Sequence, residues 1–334
     1  MTTSPYAPTY TTPRGPGDAR PTAQQVIKDE HRENDLTDKV ILITGCSSGL
    51  GIETARALKS TGATLYLTAR NLDKARTALG GILEGGKVHL LKLDLESFDS
   101  VRACAEELKS KTNKLNIVVE NAGIRNVPAG RTKDGFELHW GTNHLAHFLL
   151  LQLLKPLLLA SSTPSFHSRA VIVSSTAHRN GPIDFSDLNW ESRKYDGIAA
   201  YGQSKLANLY TASEIERRYG SKGLHAWAVH PGGIRTGLQR PSIADYLLIF
   251  KAGIMDSLNV MMNPEQGAST SVWGAVSREL EGWGGKYLEQ TKISEPVKEG
   301  WRPIDPGYVE WAYDEEQAAR LYDESLKLVC VEKD

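Results

Sequence analysis

Tyr201-Gly202-Gln203-Ser204-Lys205 places a phenol and an ammonium four positions apart. On a helix those positions share one face, so both groups can meet at one reacting molecule. A phenol in water ionises near pH ~10. A nearby cation favours the phenolate and lowers that value, so Tyr201 can give or take a proton near neutral pH. Upstream, the apolar run Ala170-Val171-Ile172-Val173 ends on a hydroxyl pair, Ser174-Ser175. A hydroxyl at a strand end can hydrogen-bond developing negative charge on a substrate oxygen.

A second pattern binds rather than reacts. Thr44-Gly45-Cys46-Ser47-Ser48-Gly49-Leu50-Gly51 follows the apolar run Val40-Ile41-Leu42-Ile43 and precedes the helix-like segment Ile52-Glu53-Thr54-Ala55-Arg56-Ala57-Leu58. A strand, a glycine turn and a helix start in that order direct backbone N–H groups and the helix dipole at an anion. The glycines let the backbone turn tightly and a pyrophosphate approach it.

These residues need a scaffold, and the chain supplies one. Apolar strand candidates at 40–44, 64–68, 88–93, 117–120, 170–174 and 225–230 alternate with helical candidates near 50–60, 71–79, 97–110, 135–160, 199–219 and 264–280. Such alternation predicts an α/β fold, a single Rossmann-type doubly wound parallel sheet with helices on both faces. Residues 1–37 read as a flexible or surface extension, 38–290 as the domain and 291–334 as a C-terminal extension packed on it. Within the domain, 237–263 reads as a lid rich in Leu, Ile, Tyr, Phe and Met over the site.

The chain has 334 residues and a net charge of −1, which gives no support to nucleic-acid or anionic-membrane binding. Three cysteines, Cys46, Cys104 and Cys330, build no disulfide framework. His139, His144 and His147 lack a partner cysteine or an HExxH pattern, so no metal ligand is expected. The apolar stretch 147–160 is interrupted by Gln152, Lys155 and Pro156, so it reads as a buried or subunit-contact helix rather than a stable membrane span. With no apolar signal segment at the start, a cytoplasmic location is expected.

The TGxxxGxG spacing with YxxxK downstream resembles the short-chain dehydrogenase/reductase family over about residues 38–290. The long gap between Ser175 and Tyr201 is similar to the retinol-dehydrogenase-like and WW-domain-oxidoreductase-like members. The polar lead-in is similar to fungal reductases of secondary metabolism. The resemblance implies that Tyr201 is the proton donor or acceptor, Ser175 the oxyanion stabiliser, Lys205 the pKa tuner and ribose clamp, and Asn143 the anchor of a proton relay. Ser174 stays open as the alternative serine. It implies cofactor contacts from Gly45, Ser47, Ser48, Gly49, Leu50 and Gly51, from Asp94-Leu95, and from Asn121-Ala122-Gly123, where Glu120 replaces the first Asn of the family's NNAG. It further implies contacts from Tyr201 and Lys205, and from Pro231, Gly232, Ile234 and Thr236.

At the end of the second strand, Ala69 stands where an acidic residue would bond the ribose hydroxyls of NAD, and Arg70 follows. A guanidinium there pairs with a 2′-phosphate, so NADP(H) is the expected cofactor. The expected activity is hydride exchange between the nicotinamide and a carbonyl or alcohol carbon of a bulky apolar ketone, aldehyde or alcohol. The apolar helices 135–160 and 199–219 suggest a homodimer or tetramer. A non-catalytic NADP-binding scaffold or sensor of the same fold is the alternative.

Overall fold

Val40–Ile43 forms β1, and all four of its residues are buried. A continuous apolar run of this kind fits a strand covered on both faces. The computed structural model, which describes residues 4–234 and 253–333, shows that arrangement. Parallel to β1 run β2 (Thr64–Ala69), β3 (Val88–Lys92), β4 (Ile117–Glu120), β5 (Ser168–Val173) and β6 (Leu224–His230). A two-residue β7 (Gly233–Ile234) pairs apart from the main sheet with β8 (Met261–Met262). The main sheet is completed by β9 (Lys286–Glu289), parallel to β6, and an antiparallel edge strand β10 (Lys292–Ile293). Its order is β10-β9-β6-β5-β4-β1-β2-β3. The chain reverses direction of growth between β1 and β4, where doubly wound sheets open a ligand crevice beyond the strands' carboxyl ends.

The helices are α1 (Ala23–Asp29), α2 (Leu50–Lys59), α3 (Leu72–Leu79), α4 (Phe98–Lys111), α5 (Ala146–Ser161), α6 (Gly197–Tyr219), α7 (Ile254–Asn259), α8 (Pro264–Gly267), α9 (Ser269–Val276) and α10 (Glu315–Leu328). One core lies between the sheet and α4, α5, α6 and α10, around Leu108, Phe148, Leu206 and Tyr322. The other lies under α1, α2, α3 and α9, around Ile27, Leu58, Leu79 and Trp273. The six expected strands, and α2, α3, α4 and α6, fall within two residues of their expected bounds, whereas the helix expected at 135–160 begins only at Trp140 and the one expected at 264–280 ends at Val276 and is split into α8 and α9. The short β9 and β10, preceded by Gly284-Gly285, carried too little apolar periodicity to be anticipated.

Two expectations sharpen. Of the two readings of the N-terminal extension, flexible or surface, its described part is laid on the domain and docked there. Tyr6, Arg20, Val26 and Ile27 are buried. The Arg20 guanidinium ion-pairs with Asp18 and donates to the carbonyls of Gly15, Asn259, Val260 and Met261. Thus the extension ties down the strand β8 that pairs with β7. The second concerns the apolar helices. Tyr322 and Ser325 of α10 bond Gln152 and His144, and Tyr322 stacks edge-on against Phe148. Tyr210 of α6 donates to the Trp311 carbonyl. The apolar surface that suggested subunit pairing is covered, in this part, by the chain's own C-terminus. The helix running from Trp140 to Ser161 spans 22 residues, long enough by composition to cross a membrane, and it is packed inside this core.

Candidate active site

The phosphate-type loop is built by close backbone approach. Gly45 has φ +77°, and a Cβ there would meet Ala122 Cα at 2.8 Å. A Cβ on Gly51 would collide with the Gly45 carbonyl oxygen and the Asn121 side chain. Only glycine fits either place. Asn121 Nδ2 donates to the Thr44 carbonyl at 2.9 Å, and Thr44 Oγ1 accepts from Ala122 N at 3.0 Å. The turns after β1 and β4 are thereby locked side by side at the switch point. Ser47 and Gly49 are half-buried, Ser48 is exposed, and Leu50 opens α2. The carved space and the helix start fit a dinucleotide's pyrophosphate.

On α6, Tyr201 and Lys205 lie on the buried face, 9% and 3% exposed. Ser175 follows β5, and its hydroxyl lies near enough to the Tyr201 phenol to favour the phenolate. It also accepts from Ala177 N at 3.1 Å, capping the turn that follows. Ser174 is spent elsewhere, donating to the Lys205 carbonyl at 2.6 Å. Of the two serines, Ser175 is therefore the one that shares a site with Tyr201. Burial raises the Tyr201 pKa, while the Arg125 guanidinium and the Ser175 hydroxyl pull it back. Arg125 sits 5.6 Å from the ring centroid and Lys205 Nζ 5.7 Å. The sequence pointed to Lys205 and the nicotinamide ring for this tuning and gave no sign of Arg125, whose place beside Tyr201 depends on the turn after Gly123.

Asn143 lies in a π-helical turn, Trp140–Leu145, leading into α5. Such turns cluster at functional sites. Its Oδ1 accepts from Ile124 N at 2.8 Å, and its Nδ2 donates to the Ile124 carbonyl and to Ser204 Oγ. The side chain is a brace between the turn after β4 and α6. A relay through this residue would use its main-chain carbonyl, which His147 Nδ1 approaches at 3.2 Å. Gly123 lines the same spot, where a Cβ would lie 3.6 Å from Lys205 Nζ.

Lys205 Nζ donates to the Val173 carbonyl at 2.9 Å. Burial lowers its pKa to about 8, partly opposed by Glu120. Glu120 replaces the family's Asn and is 1% exposed, with no partner at Oε1. Alternation along β4 puts it on the same sheet face as Val118, which belongs to the core under α5 and α6. Burial drives its pKa well above the ordinary carboxyl range. His144 and His147 are pushed down by burial to about 3 and about 4, and are neutral. His144 bonds Ser325, while His147 bonds Thr44 and Asn143, so neither converges with His139 on a common point. His139 instead meets Tyr201 edge-on, held by Glu137.

At the rim, Arg70 Nη1 pairs with Glu96 at 2.6 Å. Asp94 takes Lys133 at 2.8 Å and the Glu96 N–H at 3.2 Å, and Leu95 is buried beside it. The cap of α4 is Ser97, not Asp94. On the other side, Gly232 has φ +99°, and Met262 occupies the place of its missing Cβ. Ile234 is buried in β7, and Pro231 is half-buried. Thr236 and residues 237–252 of the expected lid lie outside the described residues. The C-terminal extension also reaches this site. Arg179 donates to the carbonyls of Pro303 and Asp305, and Trp311 donates to the His178 carbonyl. These bonds hold the turn that follows Ser175, a contact no local pattern signals.

This cradle and proton-handling group define a nucleotide-dependent oxidoreductase of the short-chain type. The family profile for short chain dehydrogenase matches residues 39–247, and the chain belongs to that family. Short-chain dehydrogenase/reductase prx1 of Penicillium roqueforti is 44% identical over 324 residues, covering 97% of this chain and 94% of that protein. Oxidoreductase calI of Penicillium decumbens is 39% identical, covering 97% and 96%. Human retinol dehydrogenase 13 is 36% identical, covering 89% and 86%. Among solved structures, a protein from Mycobacterium paratuberculosis matches with TM-score 0.66 and 34% identity over 88% of this chain and 94% of that one. The Pseudomonas aeruginosa RhlG/NADP complex shares the fold, with TM-score 0.61 and 21% identity over 77% and 96%.

Proposed function

We propose that this chain is an NADP(H)-dependent carbonyl reductase or alcohol dehydrogenase for bulky, apolar substrates. The observation that carries this reading is the convergence of Tyr201, Ser175 and Lys205 beside the glycine cradle of Gly45 and Gly51. The nicotinamide, when bound, supplies or accepts the hydride. Tyr201 moves the proton at the substrate oxygen, and Ser175 donates a hydrogen bond to that oxygen. Lys205 holds positive charge beneath Tyr201 and reaches the ribose. Asn143 keeps the turn after β4 at the right distance from α6.

NADP preference is supported by Arg70, Arg76 and Lys92, which line one open recess at the end of β2 and β3 with a single acid, Asp73. Ala69, rather than a carboxylate, ends β2. The apolar substrate is supported by Ile254, Met255 and Leu258, exposed on α7 in the segment joined to β7 through β8. Flexible apolar side chains of this kind adapt to irregular ligands. A role in fungal secondary metabolism and a cytoplasmic location are part of the same reading.

The test is cofactor consumption with NADPH and with NADH against ketones and aldehydes of graded size, read by mass shift. Turnover that favours NADPH and rises with apolar bulk is the expected result. Preference for NADH, or for small charged carbonyls, overturns the respective half of the reading. Tight NADPH binding with no turnover on any carbonyl would point to the scaffold role.

A further inference from the structure

Far from the catalytic group, at the amino-terminal end of the sheet, two imidazoles face each other. His167 immediately precedes β5, and His225 is the second residue of β6. His167 Nδ1 lies 3.0 Å from His225 Nε2 and 3.1 Å from Glu281 Oε1. All three ligand-type atoms fall within 4.8 Å of one another. We propose that His167, His225 and Glu281 form a binding site for a divalent transition-metal ion of the zinc class, separate from the oxidoreductase centre.

The surroundings favour this over a chance contact. Both oxygens of Glu216 accept from His225 Nδ1 at 3.0 Å. That bond fixes the tautomer and leaves the Nε2 lone pair directed at the site, the arrangement of a carboxylate–histidine–metal triad. Space for Glu216 exists because Gly220 and Gly284 have no side chain, and a Cβ on either would collide with its carboxylate. Arg169 Nη2 takes Glu281 Oε2 at 2.7 Å and leaves Oε1 facing the histidines. Glu281 Oε1 also accepts from the His167 backbone N–H at 3.1 Å, which orients it. Two carboxylates, Glu216 and Glu281, against one guanidinium, Arg169, border the two imidazoles.

Zinc–nitrogen bonds of about 2.05 Å place tetrahedral ligand atoms about 3.3 Å apart, so the two contacts of His167 open by a few tenths of an ångström and the Glu281–His225 edge, within 4.8 Å, closes by a small side-chain rotation. His167 ligates through Nδ1 with its proton on the half-exposed Nε2 side, and the solvent-facing fourth position is left to water. Two imidazole donors beside a single carboxylate favour zinc, nickel, copper or cobalt over calcium and magnesium. An ion here would pin β5, β6, α6 and the turn at 277–285 together. The sequence hid the site because its ligands come from segments far apart along the chain.

The experiment uses full-length protein without a histidine tag, stripped with EDTA and titrated with Co²⁺, then with Zn²⁺. One equivalent of Co²⁺ should give a visible absorption band of four-coordinate intensity, which Zn²⁺ abolishes. Glu216→Gln should weaken Co²⁺ affinity about 10–100-fold, as loss of an orienting partner does. His225→Ala and His167→Ala should remove the band. Far-UV circular dichroism establishes that each variant is folded. If the buried His225→Ala does not fold, His167→Ala, at the more exposed ligand, decides. No saturable one-equivalent band in the parent protein, or an unchanged band in folded His167→Ala, overturns the proposal.

Discussion

Lys205 and Arg70 stand at the same end of the sheet in opposite surroundings. Lys205 is 3% exposed, whereas the Arg70 side chain is 69% exposed. Around Lys205, burial decides protonation. It drives Glu120 up, Lys205 down to about 8 and His147 down to about 4. Around Arg70, Glu96 pairs with the guanidinium and Asp94 pairs with Lys133. Pairs made by such exposed cations are screened by water and exchange readily for an incoming phosphate. The interior fixes which proton can move, and the rim remains free to choose a ligand.

The largest effect expected is at the interior. Tyr201→Phe should lower kcat by about 10²–10⁴-fold, the range for a positioned acid or base. Binding of NADPH should persist, because the phenol faces the substrate and Ser175 rather than the phosphate cradle. Near-normal turnover in this variant would erase the distinction between the interior group and the rim.

The next effect is on stability. Burial depresses His144 and His230 to about 3 and His147 and His178 to about 4. Between pH ~6.5 and those values the unfolded chain binds protons that the folded chain refuses. Stability is therefore present above pH ~6.5 and lost as pH falls. The Tm should drop by about 10 °C or more from pH 7 to pH 5, with little relief from salt. A flat profile over that range would show that these histidines are not held neutral by burial.

How much of this was legible follows the same division. The strands, the glycine loop and YxxxK are local patterns, and spacing exposes them. Ser174 and Ser175 are chemically identical in the sequence, and only the helix packed beneath β5 separates them. Glu120 was visible as a departure from NNAG, but its burial depends on the pairing of β4 with β5. Arg125, Arg179 and the strap from 301 to 313 act through tertiary contacts that no periodicity reports. The covering of α5 and α6 by α10 was hidden for the same reason. An apolar helix face looks alike whether its own chain or a partner covers it. Light scattering should accordingly be read with full-length chain and with chain ending before Glu315, since removal of α10 uncovers that face.

The rim prediction is smaller. Arg70→Ala should weaken NADPH binding by about 1–3 kcal/mol, the range for a charge-assisted hydrogen bond, and leave NADH binding nearly unchanged. The loss should shrink as salt is raised, because the side chain is exposed. Equal weakening for both nucleotides would mean that Arg70 shapes the recess rather than reading the phosphate.

Glu120→Gln is the smallest change and the sharpest. The two side chains are nearly the same size, and a buried neutral carboxyl resembles an amide in charge. Burial raises the Glu120 pKa above the usual 4.5, so the folded state keeps a proton that the unfolded chain releases. Stability from this group is thus complete below pH ~4.5 and declines as pH rises towards the folded value. Glutamine carries no such slope. The two proteins should melt alike near pH 4, and the variant should gain on the parent as pH rises to 8. The pH–rate profile should move down by less than about half a unit, because Glu120 only partly offsets the burial that lowers Lys205. If Glu120 were ionised and paired with Lys205, its replacement would shift the profile by about one unit or more and destabilise the variant at every pH above 5. Paired melting and rate profiles over pH 5–9 separate the two states of one buried carboxyl, and with them the claim that burial rather than pairing governs the interior of this site.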